Sequence, residues 1–422
     1  MHLLDITSNR KNSFNKISVE LFNSFGQYIE KRLGLFINYF FFFYKISRNV
    51  IKKKIKRRIG ILFNNQKGVH NNSLQLRFLP KYFFLYIGML FYILIFSKIY
   101  PKKKIYELII YDIHSQDELI RINKLIEYFG KDKVFIFFNN KKINLSNSHG
   151  ELNENFKNYN LKIVLKTILF EFLIGIPIYF LLSIYYRINL FPFVIRIINN
   201  YLKYSSNFNE YKSNYLYMER HIKIDPLMRE IYHKCGGKYL FATQKSILAG
   251  DQTSLCYNFD IFFSLGNKSH LRARSYDSDI SKVIPIGSLF YHQRMVNDVK
   301  SQINSINSHE YKKYDLLYVG GNIMNFYELY DHYDNFMNDY YESIRWLTQI
   351  KKKYPKLRIG IKHHPSAGID RFERDIIRES GVELIDKQLE SYKLVEDSKV
   401  CVTYASTLGY ESFLFKKRNK QI

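Results

Sequence analysis

The sequence predicts an α/β protein with two Rossmann-like domains, preceded by a basic, aromatic and mainly helical region. Three observations support this prediction. The chain of 422 residues is long enough for two domains with separate cores. From residue 105 onward, short apolar runs alternate with amphipathic segments, a pattern typical of parallel strands joined by helices. Positive charge, in contrast, is concentrated ahead of that point.

Residues 1–105 hold 20 Lys and Arg against 3 Asp and Glu, a net charge of +17 out of +26 for the whole chain. Such a block fits either a nucleic acid or an anionic membrane surface. Basic residues alternate here with long apolar runs, and the sequence has no zinc knuckle, RNP sequence or heptad-linked basic helix. We therefore expect an anionic membrane surface as partner and no nucleic acid. The cysteines, Cys235, Cys256 and Cys401, form no CxxC pair and fit a reducing cytosol.

Residues 1–104 are predicted to form a basic and apolar membrane-attachment region. An apolar run at 35–44 precedes the basic run 52–58, and the stretch 82–97 has 16 uncharged residues. As a helix the latter is roughly 24 Å long, shorter than the ~30 Å hydrocarbon core of a bilayer. We interpret it as lying in the membrane interface, with a true span or a buried core helix as alternatives. A solvated face is the alternative for the basic run.

Residues 105–296 are predicted to form the first Rossmann-like domain, with an apolar helical insertion. The insertion, 161–202, is broken at Pro177 and Pro192. Its uncharged part, 172–186, is either a second membrane-facing patch or a buried helix pair. The other predicted elements of this domain are strand 105–114, helix 116–129, strand 133–138, loop 141–159 and strands 239–243, 260–265 and 283–286.

Residues 314–422 are predicted to form the second Rossmann-like domain, after a polar linker at 297–313. Each apolar run here ends in glycine, in histidine and proline, or in small hydroxyl residues, and amphipathic segments lie between the runs. Parallel strands with right-handed helical crossovers follow from this order. Strands are predicted at 314–319, 357–362, 382–385 and 399–404, and helices at 340–354, 369–380, 392–398 and 410–415.

Three groups of small or polar residues follow strands of the second domain, where an open parallel sheet binds its ligands. Small residues let the backbone approach a phosphate, and donors at a helix start meet its negative charge. Glu411 is suited to accept hydrogen bonds from ribose hydroxyls, and a histidine beside a proline supplies a donor near a pyrophosphate. The candidate donor-binding residues are Gly320, Gly321, Asn322, His364, Pro365, Ser406, Thr407, Gly409 and Glu411.

These residues also have structural interpretations. His363 and His364 are adjacent in sequence, so an extended backbone points them to opposite faces and only one can face a ligand. A histidine at a strand end is otherwise a surface or capping residue. Gly320, Gly321 and Asn322 form a plain turn in the alternative interpretation.

The string IKHHPS, followed about forty residues later by TYASTLGYESFLF, resembles the donor half of GT-B glycosyltransferases. It is similar in particular to bacterial surface-carbohydrate and capsular polysaccharide enzymes, including polysialyltransferase-like and CDP-glycerol glycerophosphotransferase-like proteins. The resemblance implies that His364, Ser406, Thr407 and Glu411 bind the donor, which is a nucleotide sugar or a CDP- or CMP-linked compound. It implies neither a cofactor nor a metal.

The resemblance extends to residues 239–291, which match the end of the family's acceptor domain. Gln244 and Lys245 stand where the family often has a Q-H-G stretch. Lys245 offers a charge to a phosphate but does not repeat the role of the histidine. The family's last strand, and the helix that crosses back to the first domain, are expected to be missing after the Ser-Thr-Leu-Gly-Tyr-Glu helix. The second domain is therefore predicted to be truncated.

Glycosyl transfer to a hydroxyl needs a general base near the acceptor and stabilisation of the departing phosphate. Candidates for the base are Asp112, His114 and Asp117, of which we rank Asp112 first; a capping or solvated role is its alternative. The leading hypothesis is an inverting, metal-independent GT-B transferase at the cytoplasmic face of the inner membrane, peripheral or monotopic, with a glycan or lipid-linked acceptor. The alternatives are a sugar-nucleotide epimerase of the same fold and a non-catalytic, truncated membrane-associated relic.

Overall fold

The chain forms two compact units, Met1–Leu289 and Phe290–Ile422. Both contain a parallel β-sheet with helical connections, so the predicted α/β class with two Rossmann-like units is confirmed. The computed structural model describes residues 19–64, 74–99, 104–113, 116–138, 159–219, 225–244, 257–267, 271, 278–288, 314–320, 333–363, 371–386, 391–404, 407–412 and 418–421.

Eight strands lie in the described part of the first unit. They are β1 (Ser97–Lys98), β2 (Lys104–Ile113), β3 (Val134–Phe138), β4 (Tyr159–Asn160), β5 (Tyr211–Met218), β6 (Tyr239–Thr243), β7 (Asn258–Ser264) and β8 (Asp279–Pro285). Six of them form one parallel sheet in the order β3-β2-β5-β6-β7-β8, and β1 pairs with β4 separately. The chain adds β3 on one side of β2 and β5 on the other, so the topological switch point lies between β2 and β5.

Helices precede and cover this sheet. They are α1 (Val19–Tyr44), α2 (Arg48–Asn64), α3 (Leu79–Ile95), α4 (Gln116–Phe129), α5 (Leu161–Phe170), α6 (Ile176–Tyr186), α7 (Phe191–Glu210) and α8 (Pro226–Lys234). The predicted β-α-β unit is confirmed as β2-α4-β3. The sequence analysis missed β5, a strand in the middle of the sheet, and helix α8.

Helices α1, α2 and α3 share one hydrophobic core with the sheet. Phe36, Ile55 and Tyr86 of these helices are fully buried in the same cluster as Ile109 of β2 and Leu216 of β5. The helices of the predicted attachment region thus pack into the first unit. The proposed division of this unit at residue 104 stays a prediction, as does the linker 297–313, which lies outside the described residues.

Helices α5 and α6 are continuous through a π-helical turn, Glu171–Gly175. The turn buries the Glu171 carboxylate completely. A methyl group at Gly175 would overlap this carboxylate, so glycine makes room for it one turn along the helix. Four tyrosine hydroxyls from α1, α3 and α6 donate to its oxygens, namely Tyr39 (3.2 Å), Tyr44, Tyr86 (2.5 Å) and Tyr179 (3.0 Å).

The second unit is a doubly wound sheet. Its elements are β9 (Leu316–Gly320), α9 (Tyr333–Lys353), β10 (Ile359–Lys362), α10 (Arg371–Arg378), β11 (Glu383–Leu384), α11 (Ser391–Asp397), β12 (Val400–Tyr404), α12 (Thr407–Glu411) and β13 (Arg418–Gln421). All strands are parallel, in the order β11-β10-β9-β12-β13. One core lies between the sheet and α9 and α10, and another lies beneath α11.

Strand β13 corrects one expectation. We expected no strand after the Ser-Thr-Leu-Gly-Tyr-Glu helix, but Arg418–Gln421 pairs with β12 from Val400 to Thr403. Its four residues are polar, so the strand is held by backbone hydrogen bonds. A sequence pattern of apolar residues, which would predict a strand, is missing at these positions. The truncation of the domain itself stays a prediction.

Candidate functional site

The second sheet has its switch point between β9 and β12. Strands β10 and β11 extend the sheet on one side of β9, and β12 and β13 extend it on the other. In open parallel sheets, ligands bind outside the carboxyl ends of the strands at such a point. Strand β9 ends at Gly320 and β12 at Tyr404, and the register pairs these two residues directly. Gly320 therefore lies at the predicted position for a ligand.

Helix α12 begins close to this edge because of Gly409. The Thr403 hydroxyl donates to the carbonyl oxygen of Val319 at 3.0 Å, which fixes its side chain beside β9. A methyl group at Gly409 would overlap that threonine side chain. Glycine thus lets the helix backbone approach the strand, the arrangement that brings backbone donors near a phosphate in nucleotide-binding sheets.

Glu411 lies two residues further along α12. Its side chain is largely buried, at 7% exposure, and its Oε2 accepts a hydrogen bond from the Tyr392 hydroxyl of α11 at 2.6 Å. This bond orients the carboxylate near the end of β12. An oriented carboxylate acceptor at this position is suited to bind a ribose hydroxyl.

Strand β10 contributes a histidine to the same edge of the sheet, but the described one is His363. It directly follows the strand and is buried at 2% exposure, with Nδ1 3.3 Å from the Tyr340 hydroxyl. The same nitrogen lies 3.5 Å from where a Cβ on Gly320 would be. His363 therefore packs beneath Gly320, toward α9. His364, its predicted ligand-binding neighbour, lies outside the described residues.

The structure brings Gly320, Gly409 and Glu411 to one edge of the second sheet. The residues in contact with two of them were not predicted from the sequence: Thr403 packs against Gly409, and Tyr392 donates to Glu411. For Thr407 only the backbone is described, at the first position of α12. The other predicted site residues lie outside the described residues, and their roles stay predictions: Gly321, Asn322, Pro365, Ser406 and Lys245.

Asp112, the predicted general base, lies at the carboxyl end of β2 beside the switch point of the first sheet. It has a left-handed backbone (φ 69°), where the register of β2 with β3 shifts between Ile110 and Ile113. Burial lowers the pKa of the nearby Lys203 to about 8, and the negative charges of Asp112 and Asp225 oppose this shift. Lys203 is thus a cation in the neighbourhood of Asp112. Its role as a base stays a prediction.

A buried ion-pair network fills the neighbouring strand ends of the first sheet. Arg121 of α4 donates to Glu219 Oε1 through Nε at 3.0 Å and Nη2 at 2.8 Å. The Tyr217 hydroxyl lies 2.6 Å from Glu219 Oε2 and 3.1 Å from Thr243 Oγ1. These side chains satisfy one another, which indicates a structural role.

Gln244, the predicted acceptor-side residue, directly follows β6 and is 2% exposed. Its backbone N–H donates to Phe263 at 2.8 Å, and its side-chain oxygen accepts from the Leu265 N–H at 3.0 Å. Gln244 therefore fixes the turn after β7 in the structure. Its proposed acceptor role stays a prediction.

The first unit exposes a large apolar surface on its helices. Two segments, Leu76–Ile95 and Leu161–Tyr186, are long and apolar enough to cross a membrane, by length and composition alone. Only 22% and 28% of their most apolar windows are buried. Such exposure exceeds what a solvent-facing helix normally shows. The exposed side chains include Phe84, Leu85, Phe91, Ile95, Leu165, Leu169, Leu173, Leu181, Ile184 and Tyr185.

No family model matches the chain, and no curated protein matches it. Solved structures that resemble it include the UDP-GlcNAc 2-epimerase of Neisseria meningitidis bound to UDP-GlcNAc, at 12% identity and a TM-score of 0.42, over 74% of this chain and 81% of that one. The UDP-N-acetylglucosamine 2-epimerase of Rickettsia bellii gives 10% identity and a TM-score of 0.41, over 74% and 78%. The wall teichoic acid polymerase TagF gives 11% and 0.35, over 89% and 78%.

Proposed function

We propose that the chain is a transferase of the GT-B type, which moves a sugar or a polyol phosphate from a nucleotide donor to a glycan or lipid-linked acceptor of a bacterial surface polysaccharide. The observation that supports this proposal is the edge of the second sheet. Gly320, Gly409 and Glu411 lie there around one switch point, at the carboxyl ends of β9 and β12.

Each of these residues has a defined task in the proposed reaction. The start of α12, brought close by Gly409, offers backbone donors to the departing nucleotide phosphate. Glu411, held by Tyr392, binds a ribose hydroxyl. Asp112 in the first unit takes the proton of the acceptor hydroxyl, and the sugar is transferred with inversion and without a metal. Proton transfer by one positioned base contributes roughly 10²–10⁴-fold to a rate.

Calorimetric titration with UDP, CDP and CMP tests the donor site. We expect one of the three to bind, and Glu411→Gln to weaken that binding about tenfold, because a charge-assisted hydrogen bond is lost. Glu396→Gln, on the exposed side of α11, is the matched control and should leave the affinity unchanged. Absence of binding for all three nucleotides would support the non-catalytic alternative.

A product assay with matching nucleotide sugars then separates the transferase from an epimerase. We expect release of the nucleotide and transfer of the sugar to a membrane-derived acceptor. Recovery of an epimerised nucleotide sugar, with no transfer, would contradict the proposal while leaving nucleotide binding intact. Asp112→Asn should lower the transfer rate and leave donor affinity unchanged.

The proposal includes attachment to the cytoplasmic face of the inner membrane, as a peripheral or monotopic protein. Its support is the exposed apolar surface together with the positive charge of the first 105 residues. We expect the chain to sediment with vesicles, and Phe84→Ser with Leu173→Ser to weaken this binding at least tenfold. Ile105→Ser with Tyr128→Ser removes two equally exposed side chains outside α3, α5 and α6 and should have little effect. Equal losses in both pairs would contradict membrane attachment through these helices.

A further inference from the structure

A cavity in the first unit is lined by positively charged side chains from two helices that are distant in sequence. It has a volume of about 430 Å³. Lys54 and Arg57 line it from α2, Arg196 from α7, and Asp225 from the position before α8. The cavity thus uses the basic run 52–58, for which the sequence analysis proposed diffuse membrane contact or a solvated face.

Positive charge exceeds negative charge in this cavity. Among the lining side chains, three cations stand against one carboxylate, a net charge of +2. The oxygens of Asp225 are bound within the protein: Oδ2 accepts from Lys54 at 2.5 Å and from the Asn200 amide, and Oδ1 accepts from the Leu227 N–H at 2.9 Å. Asp225 therefore pairs with Lys54, and it is the one carboxylate among the described side chains that line the cavity.

The cations are close enough to affect one another. Burial lowers the pKa of Lys54, Asp225 opposes that effect, and both arginines lower the pKa further. Burial likewise lowers the pKa of Arg196, and the charge of Arg57 adds to this. Like charges held together in a partly buried site repel, and a bound anion relieves this repulsion.

The type of cation indicates the type of anion. Two guanidinium groups present planar donor pairs, which match the oxygens of a phosphate and bind it more specifically than ammonium groups do. The Asn199 amide also lines the cavity and has its orientation fixed, because the Tyr159 hydroxyl donates to Oδ1 at 2.9 Å. A volume of this size holds a phosphate or pyrophosphate together with part of its substituent.

The cavity adjoins the helices that carry the exposed apolar surface. Phe193 of α7 lines the cavity. Two residues earlier, Phe191 packs against Phe83 of α3 and Phe180 of α6, with ring centroids 5.8 Å and 5.6 Å apart. A phosphate in the cavity is thus close to the helices from which lipid-facing side chains project.

We propose that the cavity lined by Lys54, Arg57 and Arg196 is a phosphate-binding site for a phosphorylated lipid headgroup or a free phosphorylated ligand. The site lies in the first unit and goes beyond the proposed function, since it does not depend on nucleotide binding in the second unit. In this proposal, part of the basic run 52–58 forms a defined phosphate-binding site and does not act only by general electrostatic attraction.

Two binding assays on the full chain test the site. The free arm titrates inorganic phosphate and pyrophosphate by calorimetry. The lipid arm compares phosphatidylcholine vesicles that contain phosphatidic acid with vesicles brought to the same surface charge by oleate, which has no phosphate. We expect the chain to bind free phosphate or pyrophosphate, to prefer the vesicles that contain phosphatidic acid, or both. Equal binding to the two kinds of vesicle, together with no binding of free phosphate or pyrophosphate, would overturn the proposal.

Charge variants connect the binding to the cavity. Arg57→Gln with Arg196→Gln should weaken the binding of phosphate at least tenfold, because two charge-assisted contacts are lost. Lys52→Gln with Lys124→Gln removes the same charge at positions outside the cavity and should change it less than twofold. Equal losses in the two pairs would overturn the proposal in favour of a general charge effect. A circular dichroism melting curve verifies that each variant is folded, and nucleotide titration shows independently whether the second unit is intact.

Discussion

The carboxyl ends of the two parallel sheets contain different kinds of side chain. In the first sheet, Arg121, Glu219 and Tyr217 fill the ends of β5 and β6 with a buried, mutually satisfied network. In the second sheet, Gly320 ends β9 beside His363, and Gly409 lets α12 pack closely against Thr403. The comparison teaches that two doubly wound sheets with different strand orders end differently: an ion-pair network lies at the carboxyl ends of one, and closely packed glycines lie at those of the other.

Arg121→Leu should have the largest effect, on the stability of the first unit. It leaves Glu219 buried without its cation, which costs about 3–5 kcal/mol of unfolding free energy. Urea unfolding of the full chain measures this loss. Lys52→Leu, which breaks the more exposed pair with Glu30, is the control and should cost less than about 1 kcal/mol. If Arg121→Leu were equally mild, the edge of the first sheet would not be fixed by this network.

Gly409→Ala should have the next largest effect, on the second unit. The new methyl group overlaps Thr403, so α12 has to move away from β12, at a cost of about 1–3 kcal/mol. We expect a lower melting temperature together with loss of nucleotide binding in calorimetry. Gly266→Ala introduces a methyl group with no neighbour within 4 Å and serves as the control. Full nucleotide binding by Gly409→Ala would show that the close approach of α12 is not needed.

Tyr392→Phe should have a moderate effect. It removes the hydroxyl that donates to Glu411, a bond worth about 0.5–1.5 kcal/mol. The carboxylate loses its orientation, and we expect nucleotide affinity to fall a few-fold, with a small change in stability. Titration of the same nucleotide with both proteins measures the ratio. Tyr354→Phe, at the exposed end of α9, is the matched control. An unchanged affinity would mean that Tyr392 only packs the domain.

The smallest expected effect is a pH dependence of the folding stability that comes from His233 and Asp260. These two side chains meet near the amino ends of β6 and β7 in the first sheet. The hydrogen bond that His233 donates to the Asp260 carboxylate raises the pKa of His233 above about 6.5. The resulting stabilisation is therefore present below pH ~6.5 and is lost as pH rises through the raised value. Burial opposes ionisation of Asp260, but His233, the Leu240 N–H and Arg229 together lower its pKa. This second contribution is lost as pH falls below ~4.

Urea unfolding between pH 4 and 9 tests this dependence. The difference in stability between the wild type and His233→Asn should be largest near pH 5 to 6 and should shrink toward pH 9. A constant difference across this range would show that the charge of His233 is irrelevant to folding. The contribution of the Arg121–Glu219 network to the free energy of unfolding should show no comparable change between pH 6 and 9.

Strands β9, β10, β11 and β12 of the second sheet were predictable because each lies in an apolar run that is followed by a glycine, a small residue or a polar residue. Strand β5 was missed because three consecutive residues near its start are polar, and their partners lie elsewhere: Ser213 contacts Tyr232 at 3.1 Å, and Asn214 donates to Glu107 at 3.0 Å. Helix α8 had a usable signal, Asp225 before Pro226, which is a helix-start pattern. Strand β13 had none, because its residues are all polar.

The candidate site was predictable only for residues that follow strands. Gly320, Gly409 and Glu411 were found because a strand end is visible in sequence, and parallel strands bring their ends to one edge. Tyr392 and Thr403 could not be assigned, since their roles depend on contacts between elements. For the same reason the run 52–58 was interpreted through its charge alone. Its contacts with α7 and Asp225 are visible only in three dimensions.

Glu171 ties the apolar segment Leu161–Tyr186 to helices α1 and α3 through its tyrosine donors. A carboxylate stripped of these donors in hydrocarbon would cost several kcal/mol. If the segment entered lipid by itself, Glu171 would lose the hydroxyls of Tyr39 and Tyr86, which belong to other helices. Satisfying the Glu171 carboxylate therefore requires α1 and α3 to pack against this segment, in water and at a membrane surface alike.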